Sequence, residues 1–176
     1  RLRTQIDVIA SESLKGVMFF EIGHQNWGKS AQGAALGTDG KEVKVRYGYV
    51  DWVVPQTDVK VRMGLQKYTL PNFTGIGSPI LDADGAGITI SNQLTENVGT
   101  NLFWLRAAND NDPEMTKHDA HDALDFIGLT VPLTFDGVKV TPWGMGGIIG
   151  QDSFKGSGPD MTGIAMPGML PLGGDA

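Results

Sequence analysis

The chain has 176 residues, enough for one ordinary domain with a sizeable core, and carries a formal net charge of -6, 25 glycines and no cysteine. The negative balance argues against nucleic acid as a partner, and the lack of cysteine excludes disulfides, thiolate metal sites and cysteine nucleophiles. No run approaches the roughly 18 apolar residues of a transmembrane helix, which excludes helical membrane proteins but leaves β-barrels open, because each barrel strand carries only a weak signal.

Residues 1–10 alternate, with Leu2, Ile6, Val8 and Ala10 on one face and Arg1, Arg3, Gln5 and Asp7 on the other. A short turn over 11–16 leads to a return strand over 17–26, with Met18, Phe20 and Ile22 on its apolar side and Glu21 and Gly23 on the other. Trp27 opens a long polar loop that runs to Lys41. The strongest pattern follows at 43–65, where two alternating runs flank a turn near Pro55 to Asp58. Strict alternation predicts a hairpin with Val43, Val45, Tyr47, Tyr49, Val59, Val61, Met63 and Leu65 on one face. Lys44, Arg46, Gly48, Lys60, Arg62, Gly64 and Gln66 are predicted on the other. Residues 68–84 read as a second long loop, with Pro71 and Pro79. A weaker hairpin joins 85–92 to 100–107 around Thr95, Glu96 and Asn97. An acidic loop covers 109–122, and a last hairpin joins 123–133 to 138–148 through Phe135, Asp136 and Gly137. Residues 151–176 hold Gly, Pro and Met without sustained alternation.

This order gives roughly eight strands of about ten residues, the length that a tilted strand needs to cross a bilayer. Short turns and long loops take turns along the chain, as they do in outer-membrane barrels, where turns lie on the periplasmic side and long loops outside. Soluble Greek-key sandwiches mix connection lengths less regularly. The predicted fold is all-β, a transmembrane antiparallel up-and-down barrel. Trp27, Tyr49, Trp52, Tyr68, Trp104 and Trp143 fall near predicted strand ends, where aromatic rings settle at a membrane interface or pack in a soluble core. The chain begins inside a strand at Arg1 and stops in a Gly/Pro-rich stretch, so 1–176 is expected to be a piece of a single barrel domain with both ends missing.

The blocks R-L-R-T-Q-I-D-V-I-A-S-E, F-F-E-I-G-H-Q-N-W-G and Y-V-D-W-V-V-P-Q-T-D-V-K-V-R-M-G-L-Q resemble the outer-membrane homotrimeric porins of sulfate-reducing bacteria, and the resemblance covers most of residues 1–150. It implies a barrel of about sixteen strands, three copies per assembly in the outer membrane, and passive diffusion of small polar solutes and ions. This chain holds about half of those strands. The implied partners are the lipid bilayer, lipopolysaccharide and two further copies of the chain.

Arg1, Arg3, Lys44, Arg46, Lys60 and Arg62, with Lys139 further on, lie opposite the apolar residues. Facing lipid, each would cost on the order of 2–4 kcal/mol at the midplane. Together with Asp7, Glu21 and Gln66 they are expected to line an aqueous pore with a locally cationic field. Phe20, Ile22, Val45, Tyr47, Tyr49, Val61, Met63 and Leu65 are expected to face lipid or a neighbouring subunit. Asp82 and Asp84, read as part of a loop, would oppose the cations if that loop folds inward.

Two acidic clusters, Asp82 with Asp84 and Asp110 with Asp112, offer oxygens for calcium, but neither has a full EF-hand pattern and a solvated loop is the simpler reading. His118 and His121, beside Asp119 and Asp122, have a spacing that clips a metal on a helix, without a third strong ligand nearby. No G-x-S-x-G elbow or phosphate loop occurs, and no enzyme or cofactor is expected beyond a structural calcium. The alternatives are a complete eight-stranded outer-membrane barrel serving as anchor or adhesin, and a soluble extracellular β-domain binding sugar or calcium.

Overall fold

The computed structural model describes residues 2–23, 26, 28–29, 31, 43–72, 77–109 and 123–149. Arg1, Trp27, the cluster with Asp110 and Asp112, the pair His118 and His121, and residues 151–176 lie outside the described residues. The described elements are β1 (Leu2–Ile9), β2 (Leu14–Ile22), β3 (Val43–Val53), β4 (Val59–Thr69), β5 (Asp82–Thr95), β6 (Val98–Asn109), β7 (Ala123–Thr130), β8 (Leu133–Phe135), β9 (Val138–Val140) and β10 (Trp143–Ile149). They form one antiparallel up-and-down sheet in the order β1-β2-β3-β4-β5-β6-β7-β10, with β8 on β6 and β9 on β8. The two end strands, β1 and β10, do not pair, so the sheet is not closed.

The eight expected strands become ten elements because proline interrupts the last hairpin on both arms. Pro132 separates β7 from β8, and Pro142 separates β9 from β10. A proline has no N–H for the ladder. The neighbouring bonds survive: Val131 N–H donates to the Pro142 carbonyl and Gly99 N–H to that of Pro132, both at 2.9 Å. The middle strands are longer than alternation alone indicates. β5 begins at Asp82 rather than beyond Asp84, so Asp82 and Asp84 lie on a strand.

Register separates two faces. On β4 and β5, Lys60, Arg62, Gly64 and Gln66 share a side with Ser91, Thr89, Gly87 and Gly85, while Val61, Met63 and Leu65 share the other with Ile90, Ile88 and Ala86. On β1 and β2, Arg3, Gln5 and Asp7 pair with Glu21, Phe19 and Val17, and Leu2, Thr4 and Ile6 with Ile22, Phe20 and Met18. The first face is the inner side of the sheet. Val17, Glu21, Asp51, Gln66 and Tyr68 on it are buried although, among the described residues, no second layer of secondary structure covers it, as expected when a twisted sheet curls round one side. The second face is apolar and open.

β3 departs from simple alternation. Phe19 pairs with Tyr47 but Phe20 pairs with Val45, leaving Arg46 as an extra residue. This is a β-bulge, and it reverses the side-chain parity of everything after it. Before the bulge, Val43 and Val45 share the apolar face with Ile22 and Phe20. After it, Tyr49 pairs with Gly64 and Asp51 with Arg62 on the inner face, while Gly48, Val50 and Trp52 take the apolar one. The expected placement of Tyr47 and Tyr49 beside Val45 is therefore corrected: both lie on the inner face. Phe19 stacks on Tyr47 there with centroids 5.1 Å apart.

The core sits on the inner face toward the ends of β4–β7 that lead into long connections. Tyr68, Leu70, Leu81, Phe103, Leu105, Leu124 and Phe126 form it, with Ile80 and Met145 packed against them. The connection from β4 to β5 belongs to this core. Leu70 N–H donates to the Leu81 carbonyl at 3.0 Å, which carries the ladder into the connection and turns both leucines inward. Glycines make room for the large rings. A Cβ on Gly128 would meet the Phe103 ring, and one on Gly87 would meet the Tyr68 hydroxyl and the Trp104 carbonyl. The rings lie across bare backbone, as aromatic side chains do over strand glycines.

Candidate functional site

The candidate site is the inner face of β1–β7. Its first part is a set of ion pairs. Arg3 Nε donates to Glu21 at 2.7 Å, and Arg46 Nη1 reaches the same carboxylate oxygen at 3.4 Å. Arg46 Nη2 also contacts Asp84, which lies on the other side of β5, at 2.7 Å, so the bulge residue ties β2 to β5 across β4. Lys15 meets Asp7 at 2.9 Å. Asp51 receives Arg62 through two bonds, Nε to Oδ1 at 2.6 Å and Nη2 to Oδ2 at 2.8 Å, and Lys60 at 2.9 Å. The Arg62 guanidinium also covers the Tyr49 ring at 4.0 Å. Such a bidentate fork fixes direction as well as charge.

Of the residues expected to line a pore, Arg3, Asp7, Glu21, Lys44, Lys60, Arg62 and Gln66 do share this face; Lys44 stands opposite Glu21. The expected opposition between a cationic wall and an acidic loop is corrected. Asp82 and Asp84 are on β5, on the side of Leu65 and Lys67 rather than of Gln66. Their carboxylates engage Lys67 at 2.9 Å and Arg46 at 2.7 Å. The partners of Lys60 and Arg62 come instead from Asp51 on the neighbouring strand. Buried carboxylates need such partners, because an unpaired charge on a poorly hydrated surface is costly. Asp82 and Asp84, the calcium candidates that the structure describes, thus place carboxylate oxygens on cationic side chains; among the described residues no cluster of three metal-ligating side chains occurs.

The second part is a cavity of about 330 Å³ on the inner face between the Lys60 and Arg62 side chains and the core. Two rows of the ladder form its floor. Lys60, Ser91, Asn101 and Thr130 lie side by side across β4 to β7, and Trp143 on β10 continues the row. Arg62, Thr89, Phe103 and Gly128 form the next row. Ser91 Oγ donates to Asn101 Oδ1 at 3.1 Å, and Thr89 Oγ1 donates to Gln66 Oε1 at 3.0 Å. Gln66, 2% exposed, donates its amide to the Gly87 carbonyl at 3.2 Å. Sequence reading missed Asp51, Asn101 and Thr130. Counting back from the turn at 54–58 pairs Val53 with Lys60 and Asp51 with Arg62, which would have found the first.

The opposite face is apolar across the whole sheet. Phe20, Ile22, Val45, Val61, Met63 and Leu65, the residues expected to face lipid or a subunit, share it with Ile88, Ile90, Leu102, Ile127 and Leu129. Ile6, Met18, Ile22, Val45, Met63, Ile88, Ile90, Leu102, Ile127 and Leu129 are all more than a third exposed. Toward the long connections this band meets charge: Lys67 with Asp82, and Arg106 with Asp125 at 2.8 Å. Of the aromatics expected at strand ends, Trp52 and Trp104 are on this face, whereas Tyr49, Tyr68 and Trp143 share the inner one. Searches with this chain match no protein-family model, no curated protein and no solved structure.

Proposed function

We propose that the chain is part of the wall of an outer-membrane β-barrel channel that passes small hydrophilic solutes and ions by diffusion. The observation that carries this reading is the apolar face, continuous over eight strands and left uncovered by the other described residues, set against a face of ion pairs and amides. Monomeric soluble proteins rarely expose apolar patches beyond a few hundred Å². In a bilayer the same band is the favoured surface, and the polar side must then meet water or protein. The regular exchange of short turns and long connections agrees with this, as does the charged fringe at the band's edge. The sequence resemblance adds the trimer and the sixteen-stranded barrel as further parts of the proposal.

A second reading has its own support. The cluster of Leu105, Leu124 and Phe126, each at most 2% exposed, packs the inner face as a small filled barrel would, which suits an anchor or adhesin that conducts little. One experiment separates the two. The intact protein should leave membranes only with detergent and, reconstituted into planar bilayers, should give discrete ohmic steps. Membrane extraction without current selects the filled barrel. Recovery in the aqueous fraction without detergent defeats both membrane readings.

A further inference from the structure

The cavity on the inner face has a chemical bias unlike that of the chain. The sequence holds 20 acidic and 14 basic residues, yet among the described residues the charged groups lining the cavity are Lys60, Arg62 and Lys67, with no carboxylate. Asp51 approaches Lys60 and Arg62 from β3 and is not part of the lining, so it orients them without closing the cavity to an anion. Arg62 uses Nε and Nη2 on Asp51 and keeps Nη1 for another acceptor.

Beside the cations lies a row of groups that both donate and accept. Asn101 accepts from Ser91 through Oδ1, which leaves its amide hydrogens as donors. Thr130 is 8% exposed, lines the cavity, and its hydroxyl has no hydrogen-bond partner among the described residues. A buried hydroxyl without a partner costs about 1–3 kcal/mol, so it calls for a polar occupant. The volume of about 330 Å³ is at the lower end of small-molecule sites.

We propose that this cavity is a binding subsite for a small organic anion that also carries hydroxyl groups, of the sugar-acid or hydroxycarboxylate class. The carboxylate meets Lys60 and Arg62 Nη1, and the hydroxyls meet Ser91, Asn101 and Thr130. The inference deepens the channel reading and rests on it for solute access to the inner face.

Calorimetric titration of the intact protein in detergent with gluconate, glucose and acetate tests it. Gluconate is expected to bind at least fivefold more tightly than glucose, which lacks the charge, and than acetate, which lacks the hydroxyls. Lys60→Met should weaken gluconate roughly tenfold, the size of one lost charge-assisted bond, while Arg62 keeps Asp51 paired. The double variant Ser91→Ala, Asn101→Ala removes both members of a hydrogen-bonded pair and should bring gluconate down to the level of acetate. Absent gluconate binding, glucose or acetate binding as tightly as gluconate, or folded variants that bind like the parent would overturn the proposal. A protein that conducts but does not bind gluconate loses the subsite and keeps the channel; one that binds but never conducts does the reverse.

Discussion

Replacing Gly64 with alanine puts a methyl group where β3 already is. Gly64 lies in β4 at φ 125°, opposite Tyr49, and its added Cβ would fall 2.8 Å from the Tyr49 Cα and 3.2 Å from the Gly48 carbonyl carbon, with the Gly48 oxygen closer still. Those are backbone atoms of the paired strand, so no side-chain rotation relieves the clash. An L-residue at that φ costs about 1–3 kcal/mol, and forcing a methylene into a packed site costs about 1–3 kcal/mol more. Lower entropy in the unfolded chain returns up to about 1 kcal/mol. The expected net loss is about 1–6 kcal/mol. It should act on the Arg62 fork as well, because Arg62 stacks on the ring of the displaced Tyr49. Gly144→Ala is the control: nothing lies within 4 Å of that Cβ, and the change should stay within about 0.5 kcal/mol. Urea unfolding of both variants in lipid or detergent, followed by tryptophan fluorescence, measures the difference. Equal midpoints for Gly64→Ala and Gly144→Ala would show that β3 and β4 do not approach in this register.

Three further outcomes follow from the same geometry. Asp51→Asn should lower stability by about 2–3 kcal/mol, since it strips the charge from a mostly buried carboxylate that holds both Arg62 and Lys60, and the loss should exceed that of Asp7→Asn, whose pair with Lys15 is exposed; equal unfolding midpoints would remove Asp51 from that role. Gly128→Ala should cost about 1–3 kcal/mol by striking the Phe103 ring, and a double-mutant cycle with Phe103→Leu should show a favourable coupling of at least about 0.5 kcal/mol; additive effects would mean that the ring does not lie over Gly128. In bilayers, Tyr49→Cys should react with a charged thiol reagent and Val50→Cys should not; the opposite pattern would mean that β3 alternates straight through Arg46 without a bulge.

Strand positions were legible along most of the chain because a half-buried strand writes its period into the sequence. Leu2, Ile6 and Val8 against Arg3, Gln5 and Asp7, or Val61, Met63 and Leu65 against Lys60, Arg62 and Gln66, needed no partner to be sorted. The order of short turns and long connections was legible for the same reason, since turns are where the period stops. Alternation failed at Arg46. The pattern from Val43 to Tyr49 looks unbroken because tyrosine is read as apolar, yet a ring with a hydroxyl suits either face, and only the pairing of Phe19 with Tyr47 and Phe20 with Val45 exposes the extra residue. From that point the cationic wall acquires Asp51, and an expected field of like charges becomes a set of ion pairs. The cavity row was likewise out of reach. Lys60, Ser91, Asn101 and Thr130 are spread over four strands, and they meet only through register, which is a property of strand pairs rather than of any one segment. Local period decides which residues can face together; the long-range hydrogen-bond ladder, with its bulge and its proline breaks, decides which of them do.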